Sequence, residues 1–394
     1  MNETRTVEPT GRLVSLDAYR GFVMLAMASG GLALAKAAGL HPNSFVWEVL
    51  KYQTDHVAWR GCSFWDLIQP SFMFIVGVAM PFSFASREAR GEGRAEQFRH
   101  ALARSMVLVL LGVFLASAWN KQTNWAFTNV LAQIGLGYPF VFLLLGRSAR
   151  AQFAAAVAIL VGYWLLFAVY PAPGTGFPFE EWGASADRNG LAGFLAHWAK
   201  NANVATAFDR WFLNLFPHPS GEPFRSSEGG YATLNFIPSA ATMLFGVLAG
   251  ELLRSDATPV RKLGILVLAS IAGLSLGYAL DETVCPIVKR IWTPSWTIFS
   301  AGWTCLLLAF FYAMIDVAGI RRWAFPMVVV GVNSIAFYMM AQLMKPFVAG
   351  QLQIHIGQDI FEGDYGPTVK AVSVLFVFWL IAYGMFRQKI LVRI

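Results

Sequence analysis

The chain has 394 residues, of which 56% are hydrophobic and 13% are charged. A water-soluble domain carries about 25% charged residues, so this composition excludes a soluble globular protein and predicts a membrane protein. The formal charge of +7 lies mainly in short loops between apolar segments, a distribution that points to membrane topology rather than to nucleic acid. The three cysteines are widely spaced and form no metal-ligand pattern, so no metal is predicted.

Apolar segments long enough to cross a bilayer follow one another along the whole chain. Backbone polar groups in hydrocarbon must be paired within their own segment, so each segment of about 20 residues is predicted to be a helix. The predicted spans are 14–38, 63–85, 101–118, 127–146, 152–170, 232–253, 263–281, 296–318, 324–348 and 371–387. The predicted fold class is an all-α polytopic membrane protein, a bundle of about ten transmembrane helices.

Positive charge is concentrated in alternate loops. These basic loops and the C-terminal tail contain Arg87, Arg90, Arg94, Arg99, Arg147, Arg150, Arg254, Arg261, Lys262, Arg321, Arg322, Arg387, Lys389 and Arg393. The opposite short loops carry roughly half as many cations, and the positive-inside rule therefore places the basic loops and both termini in the cytoplasm. The polar segment 1–12 has no apolar core of a signal peptide, so the first span is predicted to be an uncleaved anchor in the cytoplasmic membrane.

The longest outer loop, at about 171–231, is rich in Gly, Pro, Trp and Phe. A loop of this length with many aromatic residues is predicted to be a folded cap, with an amphipathic helix around Leu191–Trp211. Its Trp182, Trp198 and Trp211 would either stack on a sugar or anchor the loop at lipid headgroups. Because no internal repeat is visible, residues 1–394 are predicted to form a single membrane domain that carries this cap.

Polar residues within the predicted spans are the informative ones, because they are costly in hydrocarbon. Asp66, Asn129, Asn235 and Asn333 each lie in an otherwise apolar segment. The amides have two interpretations, namely interhelical hydrogen bonds or the lining of a cavity. An ionised carboxylate is costlier to bury, so Asp66 favours function. Several of these sites lie near the outer ends of their spans, which predicts a cavity that opens outward.

Charged residues also flank the first span, where Arg12, Asp17 and Arg20 occur in RLVSLDAYRGF. Either the arginines reach lipid phosphates while Asp17 pairs with Arg20, or the group binds the phosphates of a cytosolic cofactor.

His56 stands just before the second span, and imidazole is the side chain best suited to accept a proton near neutral pH. Ten helical residues would separate His56 from Asp66 by about 15 Å. The two can meet only if the stretch Trp59–Gly61 turns back, so the spacing alone predicts no His–Asp pair.

Four motifs, taken together, carry a family resemblance. RLVSLDAYRGF, HVAWRGCSFWDLIQPSFMFIVGVAMPFS, NVLAQIGLGY and VNSIAFY resemble the transmembrane acyltransferases related to heparan-α-glucosaminide N-acetyltransferase. The resemblance runs in order from Arg12 to about Gln342. It implies an O- or N-acetyltransferase that takes acetyl from cytosolic acetyl-CoA, its co-substrate, and delivers it to a glycan or amino sugar outside. A homodimer is compatible with it.

The resemblance also implies site residues. The essential histidine of the family falls at His56 and its buried aspartate at Asp66, while Arg12, Asp17 and Arg20 would hold the coenzyme. An asparagine of the family is missing near Ser29, where the run is Met27–Gly31. Oxyanion stabilisation or acceptor positioning would fall to Ser29, Asn129, Asn235 and Asn333. His56 would act as a general base or carry the acetyl group as acetyl-imidazole.

Two other functional classes remain open from the sequence. A transporter or flippase of a small or lipid-linked substrate would use the same buried polar groups without acetyl-CoA. A non-catalytic scaffold would retain the fold alone.

Overall fold

The computed structural model of the chain describes residues 13–41 and 43–392, and these residues contain helices and no strand. The predicted all-α fold is therefore confirmed. The α-helices are α1 (Val14–Ser29), α2 (Leu34–Ala38), α3 (Phe45–Gln53), α4 (Ile68–Glu88), α5 (Arg94–Ser117), α6 (Val130–Leu144), α7 (Ala149–Val169), α8 (Val204–Phe212), α9 (Phe236–Arg254), α10 (Pro259–Thr283), α11 (Pro294–Phe311), α12 (Phe325–Val332), α13 (Ser334–Leu343), α14 (Lys345–Ile356) and α15 (Gly366–Arg387).

Eight helical segments in the described ranges are long and apolar enough to cross a membrane. The predicted span at 127–146 corresponds to the shorter apolar helix α6. The predicted span at 324–348 is wrong as a single helix, because the chain bends by 73° between Arg322–Val332 and Ser334–Leu343. Asn333 lies at this bend, with φ −120° and ψ 40°. A backbone outside the helical region cannot continue the hydrogen-bond ladder, so the span is broken there.

Hydrogen bonds assign the connecting loops to two ends of the bundle. At one end, Gln122 Nε2 donates to the carbonyl of His218 and Arg290 Nη1 donates to that of Gly229. We call this the cap end, because it carries segment 171–231. At the other end, Arg94 Nη2 donates to the carbonyl of Leu145 and Arg254 Nη1 to that of Pro81. We call this the basic end.

The cap segment is less helical than its amphipathic pattern suggests. The predicted helix around Leu191–Trp211 is replaced by a 3-10 turn at Gly193–Trp198 and by α8, which begins only at Val204. Asn203 caps α8 through its side-chain oxygen, which accepts from Ala205 N and Thr206 N. Such a cap satisfies N–H groups that have no partner inside the helix, and therefore marks where the helix starts.

Glycines bring two helix pairs into backbone contact. A Cβ on Gly246 of α9 would lie 2.1 Å from the carbonyl oxygen of Phe74 in α4, and one on Gly331 of α12 would lie 1.9 Å from that of Asp17 in α1. Lipid is as apolar as leucine, so helices in a membrane associate through close packing, which small residues permit. α1 and α4, both central to the site described below, are therefore held at short interhelical distances.

We expect Gly246→Val to destabilise the protein by about 1–3 kcal/mol or more, because the new side chain overlaps the α4 backbone. Thermal unfolding of the detergent-purified protein measures this loss. The matched control is Gly264→Val in α10, since a Cβ there meets nothing within 4 Å. Equal melting temperatures for the two variants would contradict the proposed role of the α4–α9 contact.

Candidate active site

An irregular segment between α3 and α4 carries His56. Gly61 in this segment has φ +120°, a conformation that residues with a side chain rarely adopt. Its N–H donates to the carbonyl of Ile287 over 2.9 Å, and the Ser63 hydroxyl donates to the carbonyl of Asp55 over 2.6 Å. The chain therefore turns back on itself, and His56 Nδ1 lies 2.6 Å from Asp66 Oδ1. The structure brings together the two residues whose spacing predicted no pair.

Asp66 is 1% exposed and lies among several hydrogen-bond donors. Its Oδ2 accepts from Ser63 N at 3.2 Å, from Ser63 Oγ at 3.0 Å and from Val57 N at 3.3 Å. Its Oδ1 contacts His56 and also accepts from Lys289 Nζ at 3.2 Å. A buried carboxylate is stable only when it is paired and hydrogen-bonded, and Asp66 meets both conditions.

Lys289 completes this cluster, and the sequence analysis counted it only as an outer-loop cation. It is 4% exposed, because the loop between α10 and α11 folds back into the protein and buries Ile287, Val288 and Ile291. Burial lowers the pKa of Lys289, while the attraction of Asp66 opposes that shift. The signal in the sequence is the apolar run on both sides of the lysine, which is typical of a buried loop.

An ion pair joins the loop of Lys289 to the segment of His56. Arg60 Nε lies 2.9 Å from Asp281 Oδ1, and Arg60 Nη2 lies 3.1 Å from Oδ2. Asp281 also accepts from the N–H of Ile287. Bidentate pairing of arginine with a carboxylate fixes orientation as well as distance. Residues 55–63 and 281–289 are therefore held together, which positions Lys289 beside His56.

The hydrogen bonds assign the tautomer of His56. The 2.6 Å contact with a carboxylate requires a proton on Nδ1, so Nδ1–H donates to Asp66 and Nε2 carries the free lone pair. Lys289 Nζ, 3.2 Å from Nδ1, then donates to Asp66 rather than to the ring. The His56 side chain is 35% exposed, so the cluster leaves one basic nitrogen accessible.

A cavity of about 320 Å³ adjoins this cluster, and we call it the His56 cavity. Its wall is formed by Met24, Met27, His56, Trp65, Ile68, Gln69, Phe72, Thr128, Asn129, Val130, Tyr231, Lys289 and Tyr338. The predicted Asn129 is among these residues. Its Oδ1 caps α6 at Ala132 N and its Nδ2 donates to the carbonyl of Gly112, which leaves its second amide hydrogen for a ligand.

Three other predicted residues lie outside the wall of this cavity. Ser29 Oγ donates to the carbonyl of Ala26 within its own helix. Asn235 Nδ2 donates to the carbonyl of Arg290 and so supports the Lys289 loop. Asn333 binds the C-terminal segment through Ile390 O and Val392 N. Their predicted role near the reacting groups is corrected to a structural one, because their polar atoms serve the backbone of the protein.

A second cavity, of about 410 Å³, lies at the basic end, and we call it the arginine cavity. Its wall contains Arg20, Arg87, Arg90 and Arg104, together with Ser83 and Ser86. Arg20 Nη1 lies 3.3 Å from Asp17 Oδ1, which is the i,i+3 pair that the sequence allowed. The predicted Arg12 lies outside the described residues. Arg87, Arg90 and Arg104 were not among the predicted site residues, since they lie on α4, α5 and the loop that joins them.

The two cavities share a wall residue and three helices. Phe72 of α4 lines both of them. Arg20 of the arginine cavity and Met24 of the His56 cavity lie one turn apart on α1, and Ser334 and Tyr338 are related in the same way on α13. A track along α1, α4 and α13 therefore leads from the arginines at one end to His56 at the other, and Phe72 lies between its two parts.

The Trp residues predicted to stack on a sugar are absent from the walls of both cavities. Trp198 is fully buried within the cap, Trp182 packs against the guanidinium of Arg210, and Trp211 is 62% exposed. The cysteines Cys62, Cys285 and Cys305 are free thiols.

The fold and the site define a polytopic helical membrane protein with a buried His–Asp–Lys cluster at one end and an arginine-lined cavity at the other. No family model matches the chain. It is 23% identical to human heparan-alpha-glucosaminide N-acetyltransferase over 427 residues, which covers 97% of this chain and 60% of the human protein. The mouse protein of that name is 24% identical over 382 residues, which covers 86% of this chain and 56% of the mouse protein.

The chain thus spans less than two thirds of the length of these relatives. It is related to the transmembrane acetyltransferase family of heparan-alpha-glucosaminide N-acetyltransferase. The resemblance indicated by the sequence motifs is confirmed.

We expect Lys289→Met to lower the free energy of unfolding by roughly 3 kcal/mol, because Asp66 then loses its buried cation. Adding Asp66→Asn should recover part of that loss, since the double variant buries no charge at this position. Thermal unfolding of both single variants and the double variant measures the coupling. Strictly additive losses would show that Lys289 and Asp66 do not stabilise each other.

Proposed function

We propose that this protein transfers an acetyl group from acetyl-CoA, bound at the basic end, to an acceptor that enters at the cap end. The observation that carries this proposal is the track between the two cavities. An acyl-CoA has a charged head and a long flexible arm that ends in a thioester. The arginine cavity suits the head, the track suits the arm, and His56 lies where the thioester would arrive.

The donor side of the proposal rests on charge. Four arginines line one cavity, and a guanidinium binds phosphate through paired hydrogen bonds. Glu92 pairs with Arg87 at 2.9 Å and with Arg90 at 3.0 Å, which orients both side chains. Beyond the arginines, the track is lined by apolar residues such as Val76 and Met80. An uncharged acyl arm is therefore accommodated where the charged head is not.

The acceptor side rests on the His56 tautomer. In direct transfer, His56 Nε2 takes the proton from an acceptor hydroxyl or amine as that group attacks the thioester carbonyl. The carbon–sulfur bond then breaks, and the imidazolium returns the proton to the departing thiolate. Asp66 holds the ring and stabilises the imidazolium, as the carboxylate does in a serine-hydrolase triad. The free amide hydrogen of Asn129 and the cation of Lys289 lie in the same wall and would stabilise the oxyanion.

A two-step route uses the same groups. His56 Nε2 attacks the thioester and becomes acetyl-imidazole as coenzyme A leaves as thiolate. The acceptor then attacks this intermediate, which frees the imidazole and gives up its own proton to solvent or to the thiolate. Both routes need the Nδ1–H bond to Asp66, because that bond keeps the lone pair on Nε2.

The proposed orientation places the basic end and both termini in the cytoplasm and the cap end outside the cytoplasmic membrane. The positive-inside rule supports it, since the arginine-rich loops gather at one end of the bundle. Acetyl-CoA would then enter from the cytosol, and an outer glycan or amino sugar would be acetylated. O- and N-acetylation are both compatible with a general base at His56, and assembly as a homodimer stays a prediction.

The transporter or flippase alternative lacks structural support. Many transporters carry broken helices at corresponding positions of two repeated halves. The helices of the described ranges include one such bent pair, α12 with α13. The non-catalytic scaffold is likewise not favoured, because a buried His–Asp–Lys cluster that leaves Nε2 accessible has no evident structural purpose.

We expect His56→Ala to reduce acetyl transfer by a factor of at least about 100, because it removes the general base. The assay follows radiolabelled acetyl from acetyl-CoA to glucosamine with the purified protein in proteoliposomes. His355→Ala, an exposed histidine of the cap end, serves as the control. Activity near the wild-type level in His56→Ala would reject both routes described above.

We expect Arg20→Ala to weaken acetyl-CoA binding about tenfold, since one charge-assisted hydrogen bond to phosphate is lost. Calorimetry on the detergent-purified protein measures this affinity, with Arg261→Ala in an exposed loop of the basic end as the control. Wild-type protein that binds no acetyl-CoA at millimolar concentration would refute the proposed function.

We expect Phe72→Trp to slow transfer while the arginine cavity keeps its affinity for the nucleotide head, because the larger ring narrows the track between the two cavities. Adenosine 3′,5′-bisphosphate is the probe for head binding, and acetyl transfer to glucosamine is the probe for passage. Unchanged transfer in this variant would show that the arm does not pass Phe72.

A further inference from the structure

A third cavity, of about 150 Å³, lies inside the cap and adjoins the His56 cavity. Thr128 and Tyr231 line both cavities. Besides these two residues, Asn124, Trp125, Asp209, His218, Phe224 and Ser227 are in its wall. We call it the cap cavity. Its volume holds several water molecules, which is the scale of one small polar ring and too little for an oligosaccharide.

Asp209 is the distinctive residue of this wall. It lies on α8, is 2% exposed and accepts the N–H of Thr233 through Oδ2 over 3.0 Å. Its Oδ1 is buried and has no hydrogen-bond partner among the described residues. Burial raises the pKa of Asp209 to about 6, against the opposing effect of Thr233. A buried carboxyl oxygen without a donor is costly, so a ligand that supplies a donor would gain what the protein leaves unused.

The aromatic residues of the cap cavity are held firmly. Trp125 stacks on Phe216, with ring centroids 5.2 Å apart and an interplanar angle of 26°. The backbone of Phe224 is fixed by Asn214, which accepts from Phe224 N at 2.7 Å and donates to Phe224 O at 3.0 Å. A preformed pocket with apolar ring faces and one well-placed polar group is typical of a small-molecule site. Aromatic faces suit the C–H surface of a pyranose, and a carboxylate suits its hydroxyl groups.

We infer that the cap cavity binds one sugar ring of the acceptor, with a ring hydroxyl donating to Asp209 Oδ1 and the reacting group directed past Thr128 and Tyr231 toward His56. This inference rests on the proposed function, and it names the acceptor as a monosaccharide unit. It assigns stacking to Trp125 and Phe224 in place of the tryptophans that the sequence suggested. No bond forms or breaks in the cap cavity, so its contribution is binding and orientation.

The test measures binding of D-glucosamine and D-glucose to the full chain in detergent by saturation-transfer NMR, with ethanolamine as an amine that lacks a ring. We expect both sugars to bind and ethanolamine not to bind. Asp209→Asn should raise the dissociation constant for both sugars at least about tenfold. Asp187→Asn, an exposed acid of the same cap segment, should leave it unchanged.

A second variant covers the case in which Asp209→Asn loses its fold, which thermal unfolding would reveal. Phe224→Ala changes a half-buried residue outside α8, and we expect it to weaken sugar binding as well. In the transfer assay, both variants should raise the KM for glucosamine and leave acetyl-CoA affinity unchanged. A merely structural role would instead lower the affinity for both ligands.

The outcomes separate this inference from the proposed function. Wild-type protein that binds acetyl-CoA but neither sugar would overturn the cap site and leave the acetyltransferase proposal intact. Sugar affinity that Asp209→Asn and Phe224→Ala both leave unchanged would also overturn it. Sugar binding that depends on Asp209, in a protein that binds no acetyl-CoA, would support the site and reject the enzyme.

Discussion

The burial of the Asp66 carboxylate is the constraint on which the site depends. A carboxylate that is 1% exposed within a membrane bundle needs cationic and N–H partners, and the second span by itself supplies few of them. The protein brings His56 from the preceding segment and Lys289 from a loop more than 200 residues later. Each of these segments is then fixed by further bonds, chiefly the pair of Arg60 with Asp281. The cluster therefore acts as the point where distant parts of the chain are joined.

The same arrangement explains why the site has two sides. α1 and α4 are held close to their partners by glycine contacts with α12 and α9, and the residues between them leave a track rather than a filled core. Arginines gather at one end of this track and the His–Asp–Lys cluster at the other. A substrate with a charged head and a neutral reactive end matches that distribution of charge. The cap then adds a small polar cavity beside the cluster, so donor and acceptor would approach His56 from opposite directions.

Much of this architecture was predictable, because it follows from local rules. Apolar length predicts membrane helices, and the structure confirms the all-α fold, with α6 short and the span at 324–348 broken. His56 was identified by its chemistry and by the family resemblance, and its partner Asp66 by the cost of burying a charge. The pairing of the two was not predictable from spacing, since it requires the turn at Gly61. Lys289 was missed because a single lysine in a loop is usually solvated, and its burial depends on how that loop folds.

The sequence by itself determined which segments lie in the membrane, where positive charge accumulates and which family the chain resembles. These properties depend on composition and order along the chain, and a window of about 20 residues contains the relevant physics. Only the tertiary structure decided that Asn129 faces a cavity while Ser29, Asn235 and Asn333 bond to the backbone. It also decided that Phe72 separates two cavities and that Asp209 keeps one carboxyl oxygen unpaired. Such facts depend on contacts between residues far apart in sequence, and hydrophobicity is silent on which polar group meets which partner.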